Sequence, residues 1–337
     1  PRRFLPAAPE RGLPAFIVSH LISYTSSEYK SLPIIFLMKQ ASSKKINPVE
    51  TIKLARRLTV IALFADDMLM NIFVLKGGNA INLVYGLSDR SSIDIDVSMA
   101  GDFLPDQLED IRLRLEKALI KTFSDHKLEV FDVLLKAQPK TPYADVKDFW
   151  GGYHLAFKVI EQHKAGLPLE SKRKQALLLG PDRSASFKVD ISKFECCEPK
   201  EAKTFDDYRI YVYSPVMLVY EKLRAVCQQI SSYATTVHQQ PRQRARDFYD
   251  IYTLVTGLNL ESRLCDADNL LILHEIFVAK RVPLNLLTAI HDYKDFHAVG
   301  FETIVANVSD RSNLRDFDFY FDYVVGLADR LHAARVK

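Results

Sequence analysis

Cysteine is scarce in this chain, with four in 337 residues: Cys196, Cys197, Cys227 and Cys265. They lack the paired spacing of a zinc site and are too few for a disulfide scaffold, which suits a reducing cytosol. Cys196-Cys197 therefore reads as buried filler rather than a redox pair. No uninterrupted apolar run is long enough to span a bilayer, so we expect a cytoplasmic protein with no membrane partner. Internal repeats and low-complexity tracts are also missing, which excludes solenoids and linker-like chains. A large charge excess is absent too. The formal net charge of +3 permits an RNA partner without demonstrating one. His126, His154 and His163 have no companion at metal-ligand spacing, so we read all three as ordinary structural histidines.

What is present suits one large or two medium domains with real cores. The first residues stand apart. The chain begins Pro-Arg-Arg without an initiator Met, and its first Met is Met38, followed by a polar run from Lys39 to Lys45. Phe16 to Phe36 is fairly apolar but holds His20, Glu28, Lys30 and several serines, which makes a poor signal peptide. Residues 1–46 are expected to be an N-terminal extension outside the core fold. Asn47-Pro48-Val49-Glu50 then combines an N-cap, a first-turn proline and a capping-box acid, predicting a helix to about Met70.

Beyond it, Asn71 to Lys76 reads as a short strand, Gly78 to Tyr85 as a short helix and Ile93 to Met99 as a strand. A helix is expected over roughly Pro105 to Ser124. Strand-like runs follow at Lys127 to Lys136, Tyr153 to Glu161 and Ser184 to Phe194. After Lys200 the pattern turns helical: Pro215 to Ile230, Arg242 to Val255, then three or four helices through Leu331. The aromatics Phe317, Phe319, Tyr320, Phe321 and Tyr323 are spaced for a packed helix, with base stacking as the minor alternative.

Chemistry concentrates in two motifs. Lys76-Gly77-Gly78-Asn79-Ala80 reads as a turn that lets backbone N–H groups approach phosphate closely. Arg90-Ser91-Ser92-Ile93-Asp94-Ile95-Asp96 follows, and on a strand Asp94 and Asp96 point to one face while Ile93, Ile95 and Val97 take the other. Two hard oxygen ligands beside a phosphate turn are what a Mg2+-bound nucleoside triphosphate requires. Ser92 and Arg90 are further phosphate candidates, though Arg90 could equally pair with Asp89. In Phe187-Lys188-Val189-Asp190-Ile191 the apolar residues alternate inward and leave Lys188 and Asp190 on the opposite face. That pair is either a third active-site carboxylate with its neighbour or a solvated strand face.

Taken in order, Lys76-Gly77-Gly78-Asn79-Ala80, Arg90-x-Ser92-x-Asp94-x-Asp96, Lys188-x-Asp190, Glu221-Lys222-Leu223 and Arg246-Asp247-x-x-Asp250 resemble the AbiEii family. These are nucleotidyltransferase-fold toxins of type IV toxin–antitoxin and abortive-infection (phage defence) systems. The resemblance covers roughly residues 45 to 260 in ordered motifs and the helical remainder more loosely. Asn79 stands where the superfamily more often has a small hydroxyl residue.

The resemblance implies an α/β nucleotidyltransferase fold, a mixed sheet with helices, followed by an α-helical C-terminal domain. We place the first domain at residues 47–200 and the second, completing the active site, at 201–337. It implies Asp94, Asp96 and Asp190 as catalytic carboxylates holding Mg2+, or Mn2+ in its place, and Lys222 and Asp247 as further catalytic residues. Lys76, Gly77, Gly78, Asn79, Arg90, Ser92 and Lys188 are the implied nucleotide contacts. The implied partners are an NTP, a tRNA 3′ end or other RNA acceptor, and an AbiEi-like antitoxin. Loading the tRNA end would block aminoacylation and growth.

Helical geometry adds to this. Lys222 borders the apolar stripe of Val216, Val219, Tyr220, Leu223, Cys227 and Ile230, where it can reach inward or snorkel. Asp247 borders the stripe of Phe248, Ile251, Tyr252 and Val255, while Asp250 is expected nearer solvent as an ordinary salt-bridge residue. Arg242, Arg244 and Arg246 either meet RNA phosphates or solvate a turn. Two other functions stay open: a non-catalytic nucleotide-binding module, and a metal-dependent nuclease. Retention of all five catalytic candidates disfavours the first, and a nuclease has no need of the Gly77-Gly78 turn.

Overall fold

The computed structural model describes residues 47–87, 94–180, 183–308 and 311–336. The expected extension at 1–46 and two of the expected nucleotide contacts, Arg90 and Ser92, lie outside the described residues.

Helix α1 (Pro48–Phe64) starts as the sequence dictates: Asn47 accepts from the Val49 N–H, and Pro48 takes the first turn, where its missing donor costs nothing. Glu50 does not close a capping box and instead pairs with Lys53 at 3.0 Å. The helix ends before Met70 because Asp66 is a fresh N-cap, accepting from the N–H groups of Met68 and Leu69 and opening α2 (Asp67–Ile72). Strand β1 (Val74–Lys76) leads into a helical turn, α3 (Gly77–Asn79), continued by a π-helical turn over Ala80–Val84. Then come β2 (Ile95–Ser98), α4 (Leu108–Ser124), β3 (Leu128–Gln138), β4 (Gly152–Glu161), α5 (Leu169–Gln175) and β5 (Phe187–Ser192).

The sheet does not stop near residue 200. A hairpin of β6 (Lys200–Phe205) and β7 (Tyr208–Tyr213) follows, and β7 joins β1 in parallel through Leu75 and Val212. The alternation Ile210, Val212 with both side chains fully buried explains the placement. The change from sheet to helices therefore falls at Ser214, which caps α6 (Pro215–Cys227) by accepting from the Met217 N–H. Thereafter come α7 (Ser231–Thr236), α8 (Ala245–Gly257), α9 (Ala267–Val278), α10 (Lys294–Ala298), α11 (Glu302–Asn307) and α12 (Phe317–Val336).

Among the described residues the strands form one mixed seven-stranded sheet, ordered β3-β4-β5-β2-β1-β7-β6. Helix α4 packs on β3, and α1 packs on α4 and β7. The apolar residues of the central strands, Leu75, Ile95, Val97, Val189 and Leu155, are fully buried. One continuous core runs from Ala55 through the sheet to Leu331, so residues 46–337 form a single compact unit. The C-terminal aromatics pack as their spacing predicts: Phe317 and Phe321 lie against Phe248, and Tyr320 against Tyr249 and Tyr252. Cys197 and Cys227 are buried, and all four cysteines are free. No helix among the described residues is long and apolar enough to cross a membrane.

Candidate active site

Strand pairing builds the site. Lys136 on β3 lies opposite His154 on β4, His154 opposite Asp190 on β5, Asp190 opposite Asp96 on β2, and Asp96 opposite Lys76 on β1. Partners across a ladder point to the same face, so these five residues make one row across five strands. The row runs from exposed Lys136 to buried Lys76. Asp94, two residues before Asp96, points the same way and completes a group of three carboxylates.

The phosphate turn abuts this row. Gly77 has φ of +68°, and a Cβ there would collide with the Asp96 carboxylate, so both conformation and space demand glycine. Burial, then Asp190, pushes the Asp94 carboxyl up, while Lys188, Arg246 and His154 pull it back. Burial also pushes Asp96 up to about 7 against the pull of Lys76, with Asp190 and Glu221 adding to the rise. Carboxylates that repel one another in a partly dry site are a donor set for a hard cation. Among the described residues, no group of three or more aspartate, glutamate, histidine or cysteine side chains is placed as a ready metal site, the three aspartates included. An open set of this kind suits an ion that takes its remaining ligands from phosphate and water.

The predicted nucleotide residues have different fates. Lys76 is 5% exposed, and its ammonium lies 3.3 Å from Glu195 and 3.5 Å from Glu221. Burial opposes its charge, but those two carboxylates outweigh burial and hold its pKa above the ordinary lysine value. Asn79 turns into the core: it accepts from Arg56 at 2.8 and 2.7 Å and donates to the Asp94 carbonyl at 2.5 Å. An amide, both donor and acceptor, ties α1 to the start of β2, which a small hydroxyl group could not span. Lys188 stands exposed beside Asp94 on the open face of the sheet. Gly77 and Gly78 line the cavity described below.

A buried ion cluster underlies the turn. Arg224 Nη1 lies 2.9 Å from Glu195, and Lys280, on the far side, lies 3.6 Å from it. Lys280 also donates to the Lys193 carbonyl at 2.6 Å and the Phe149 carbonyl at 3.2 Å. Burial alone would push Glu195 up, yet Arg224, Lys280 and Lys76 hold its carboxyl well below the usual range. Burial pulls Lys280 down to about 8 even so. Glu195, Arg224 and Lys280 were missed by sequence reasoning because they come from a loop, α6 and the turn after α9, with no shared motif.

Lys222 is buried and reaches inward to the cavity wall. Its ammonium donates to Asp247 at 2.9 Å and Asp250 at 2.7 Å. Burial works against the charge, but the two aspartates prevail and keep Lys222 protonated. Asp250 is the more buried aspartate, at 1% exposure against 7% for Asp247, so its expected solvent position is corrected. It locks Lys222 from the helix interior while Asp247 fronts the cavity. Helix α8 starts at Ala245, later than its pattern suggests, because Gln229 accepts from the Arg242 N–H at 2.8 Å and His297 from the Arg244 N–H at 3.1 Å. These bonds hold the segment before α8 outside the helix and bring Arg244 and Arg246 to the cavity rim. His154 places its Nδ1 against the Asp190 carboxylate.

All of this opens into a cavity of about 750 Å³ lined by Gly77, Gly78, Asp94, Asp96, Asp190, Lys222, Asp247 and, deeper, Lys76, Glu195 and Arg224. Five catalytic candidates drawn from β2 and the residue before it, β5, α6 and α8 thus share one chamber with the phosphate turn. The family profile described as "Nucleotidyl transferase AbiEii toxin, Type IV TA system" matches residues 61–322. The chain belongs to the AbiEii family of nucleotidyltransferase toxins. It is accordingly a nucleotidyltransferase of a type IV toxin–antitoxin family, with a nucleotide substrate and a cognate antitoxin.

Several solved structures are similar to this AbiEii-family chain. A putative nucleotidyltransferase from Helicobacter pylori is 14% identical, covering 84% of this chain and 94% of its own, with a TM-score of 0.43. A second H. pylori protein is 15% identical over 84% and 91%, with a TM-score of 0.44. The nucleotidyltransferase toxin MenT4 from Mycobacterium tuberculosis is 14% identical over 85% and 84%, with a TM-score of 0.42. Comparison with curated proteins returns no match.

Proposed function

We propose that this AbiEii-family enzyme transfers a nucleoside monophosphate from an NTP to the terminal hydroxyl of an RNA, a tRNA 3′ end, in a Mg2+-dependent reaction that halts translation. The observation that carries this reading is the convergence of Asp94, Asp96 and Asp190 beside the Gly77-Gly78 turn in one chamber with Lys222. Asp94, Asp96 and Asp190 are the residues that would hold Mg2+. When bound, such an ion neutralises phosphate charge and orients the triphosphate.

The chain's own groups supply the rest. The Gly77-Gly78 backbone, freed of Cβ atoms, lets N–H donors meet the triphosphate. The acceptor oxygen forms a bond to the α-phosphorus as the bond to the bridging β-phosphate oxygen breaks. Asp190 draws the hydroxyl proton, and pyrophosphate leaves. Lys222, held charged between Asp247 and Asp250, stabilises the negative charge building on that leaving group. Asp247 orients Lys222 at the cavity wall. The ion cluster of Lys76, Glu195 and Arg224 fixes the turn so that these groups need not reorganise.

The test supplies Mg2+, total tRNA and each labelled NTP in turn. Label should enter RNA covalently with release of pyrophosphate. Label on protein instead of RNA would remove the tRNA assignment, and shortening of RNA without NTP would replace transfer with nuclease chemistry.

A further inference from the structure

The row of side chains that builds the site does not end at the carboxylates. It continues outward over β4 and β3. The open face there carries Lys188 on β5, His154 and Ala156 on β4, and Leu134 and Lys136 on β3. Leu134 lies opposite Ala156, which lies opposite Lys188, making a second row parallel to the first. Lys136 and Lys188 are exposed, and Leu134 is 48% exposed. The other face of the same strands is dry, with Val133, Leu135, Leu155 and Val189 buried.

The two lysines differ from three other cations on these strands and α5. Lys158 and Arg173 are both bound to Asp132, and Lys172 to Glu129. Among the described residues, no carboxylate forms an ion pair with Lys136 or Lys188. The chain therefore neutralises those three basic groups and, among the described residues, leaves Lys136, Lys188 beside Asp94 and, at the cavity rim, Arg246 without an ion pair, so that they can meet a polyanion on a surface continuous with the reacting carboxylates.

We propose that this open face of β3, β4 and β5 is the platform on which the acceptor strand lies, as a single-stranded polyanionic RNA end. The inference rests on the reading of the enzyme as an RNA nucleotidyltransferase and adds where the acceptor binds. With strands about 4.8 Å apart, Lys136 stands about 10 Å from Asp190. That distance removes it from the triphosphate at Asp94 and Asp96 but leaves it beside the phosphates behind a terminal hydroxyl held at Asp190. Lys188 is the inner contact and Lys136 the outer one. Leu134 and Ala156 between them offer an apolar surface to a ribose or base. An acidic polypeptide would also meet the lysines, but it would not need to run inward to the carboxylates, as an acceptor must.

The experiment measures transfer of labelled nucleotide to total tRNA by the full chain and by Lys136→Ala, Lys136→Glu and Lys136→Arg, varying RNA and NTP separately and repeating at several salt concentrations. Lys136→Glu should raise the RNA KM about tenfold with the NTP KM unchanged. Lys136→Ala should raise it less and lower the salt slope of log KM by about one, and Lys136→Arg should restore it. An unchanged RNA KM in Lys136→Glu, where the wild type labels RNA, would overturn the platform alone. So would an NTP KM that rises in step. If Lys136→Glu keeps RNA transfer but loses binding to the acidic polymer poly-glutamate, the face docks protein and the proposal fails. If the wild type labels no RNA, the acceptor reading itself falls and the platform falls with it.

Discussion

Replacing Asp96 with Asn should abolish transfer and yet stabilise the protein above neutral pH in the absence of divalent ions. Burial pushes the Asp96 carboxyl up to about 7, from an ordinary aspartate value near 3.9. Between those two pH values the native state keeps a proton that the unfolded chain has already lost. Stability therefore falls as pH rises through this window, and the loss is complete above about pH 7. The gap corresponds to about 4 kcal/mol, an upper bound because the carboxylate borders an open cavity. Asp96→Asn keeps the shape and removes the charge, so the variant should exceed the wild type by about 1 to 4 kcal/mol at pH 8 and by little at pH 4. Urea unfolding in chelator at both pH values reads this directly. Adding Mg2+ should then favour the wild type, because an ion that binds only the native state stabilises it by mass action. A variant less stable than the wild type at pH 8 in chelator, or one that retains full NTP turnover, would refute the reasoning.

Three other outcomes are expected. Gly77→Ala should weaken NTP binding at least tenfold, because the positive φ disfavours a side chain and the new methyl meets the Asp96 carboxylate; an unchanged NTP KM would count against the phosphate turn. Lys222→Ala should cost about 3 to 5 kcal/mol by leaving Asp247 and Asp250 buried without their cation, and adding Asp247→Asn with Asp250→Asn should restore stability but not turnover. Recovery of turnover in that triple variant would remove Lys222 from the chemistry. Burial holds the His297 imidazole down to about 4, so between roughly pH 6.5 and 4 the unfolded chain takes a proton that the native state refuses, and stability should fall by up to about 3 kcal/mol as pH drops through that window. His297→Gln should flatten that dependence in thermal unfolding curves; an equally steep curve would mean other groups carry it.

Much of the site was legible in the sequence because strand and helix periodicity are local. Asp94 and Asp96 share a face for the same reason that Ile95 and Val97 are buried, and Lys188 and Asp190 follow the same alternation against Val189 and Ile191. Asn47 marks the start of α1 by its cap, since a cap bond spans only two or three residues. The ordered motifs carried the family, which the match over residues 61–322 then supplied independently.

Tertiary structure decided what depends on neighbours distant in the chain. A helical wheel placed Asp250 toward solvent, but α6 packs on that side and delivers Lys222 to it, 28 positions away. Asn79 follows the glycine pair in sequence, but Arg56 and the Asp94 carbonyl take its amide into the core. His154 had no partner along the sequence and acquired Asp190 only through antiparallel pairing of β4 with β5. The buried cluster of Lys76, Glu195, Arg224 and Lys280 has no sequence signature at all. Each of its charges is tolerable only because the others surround it, and that condition exists only once the strand, the loop and the helices have come together.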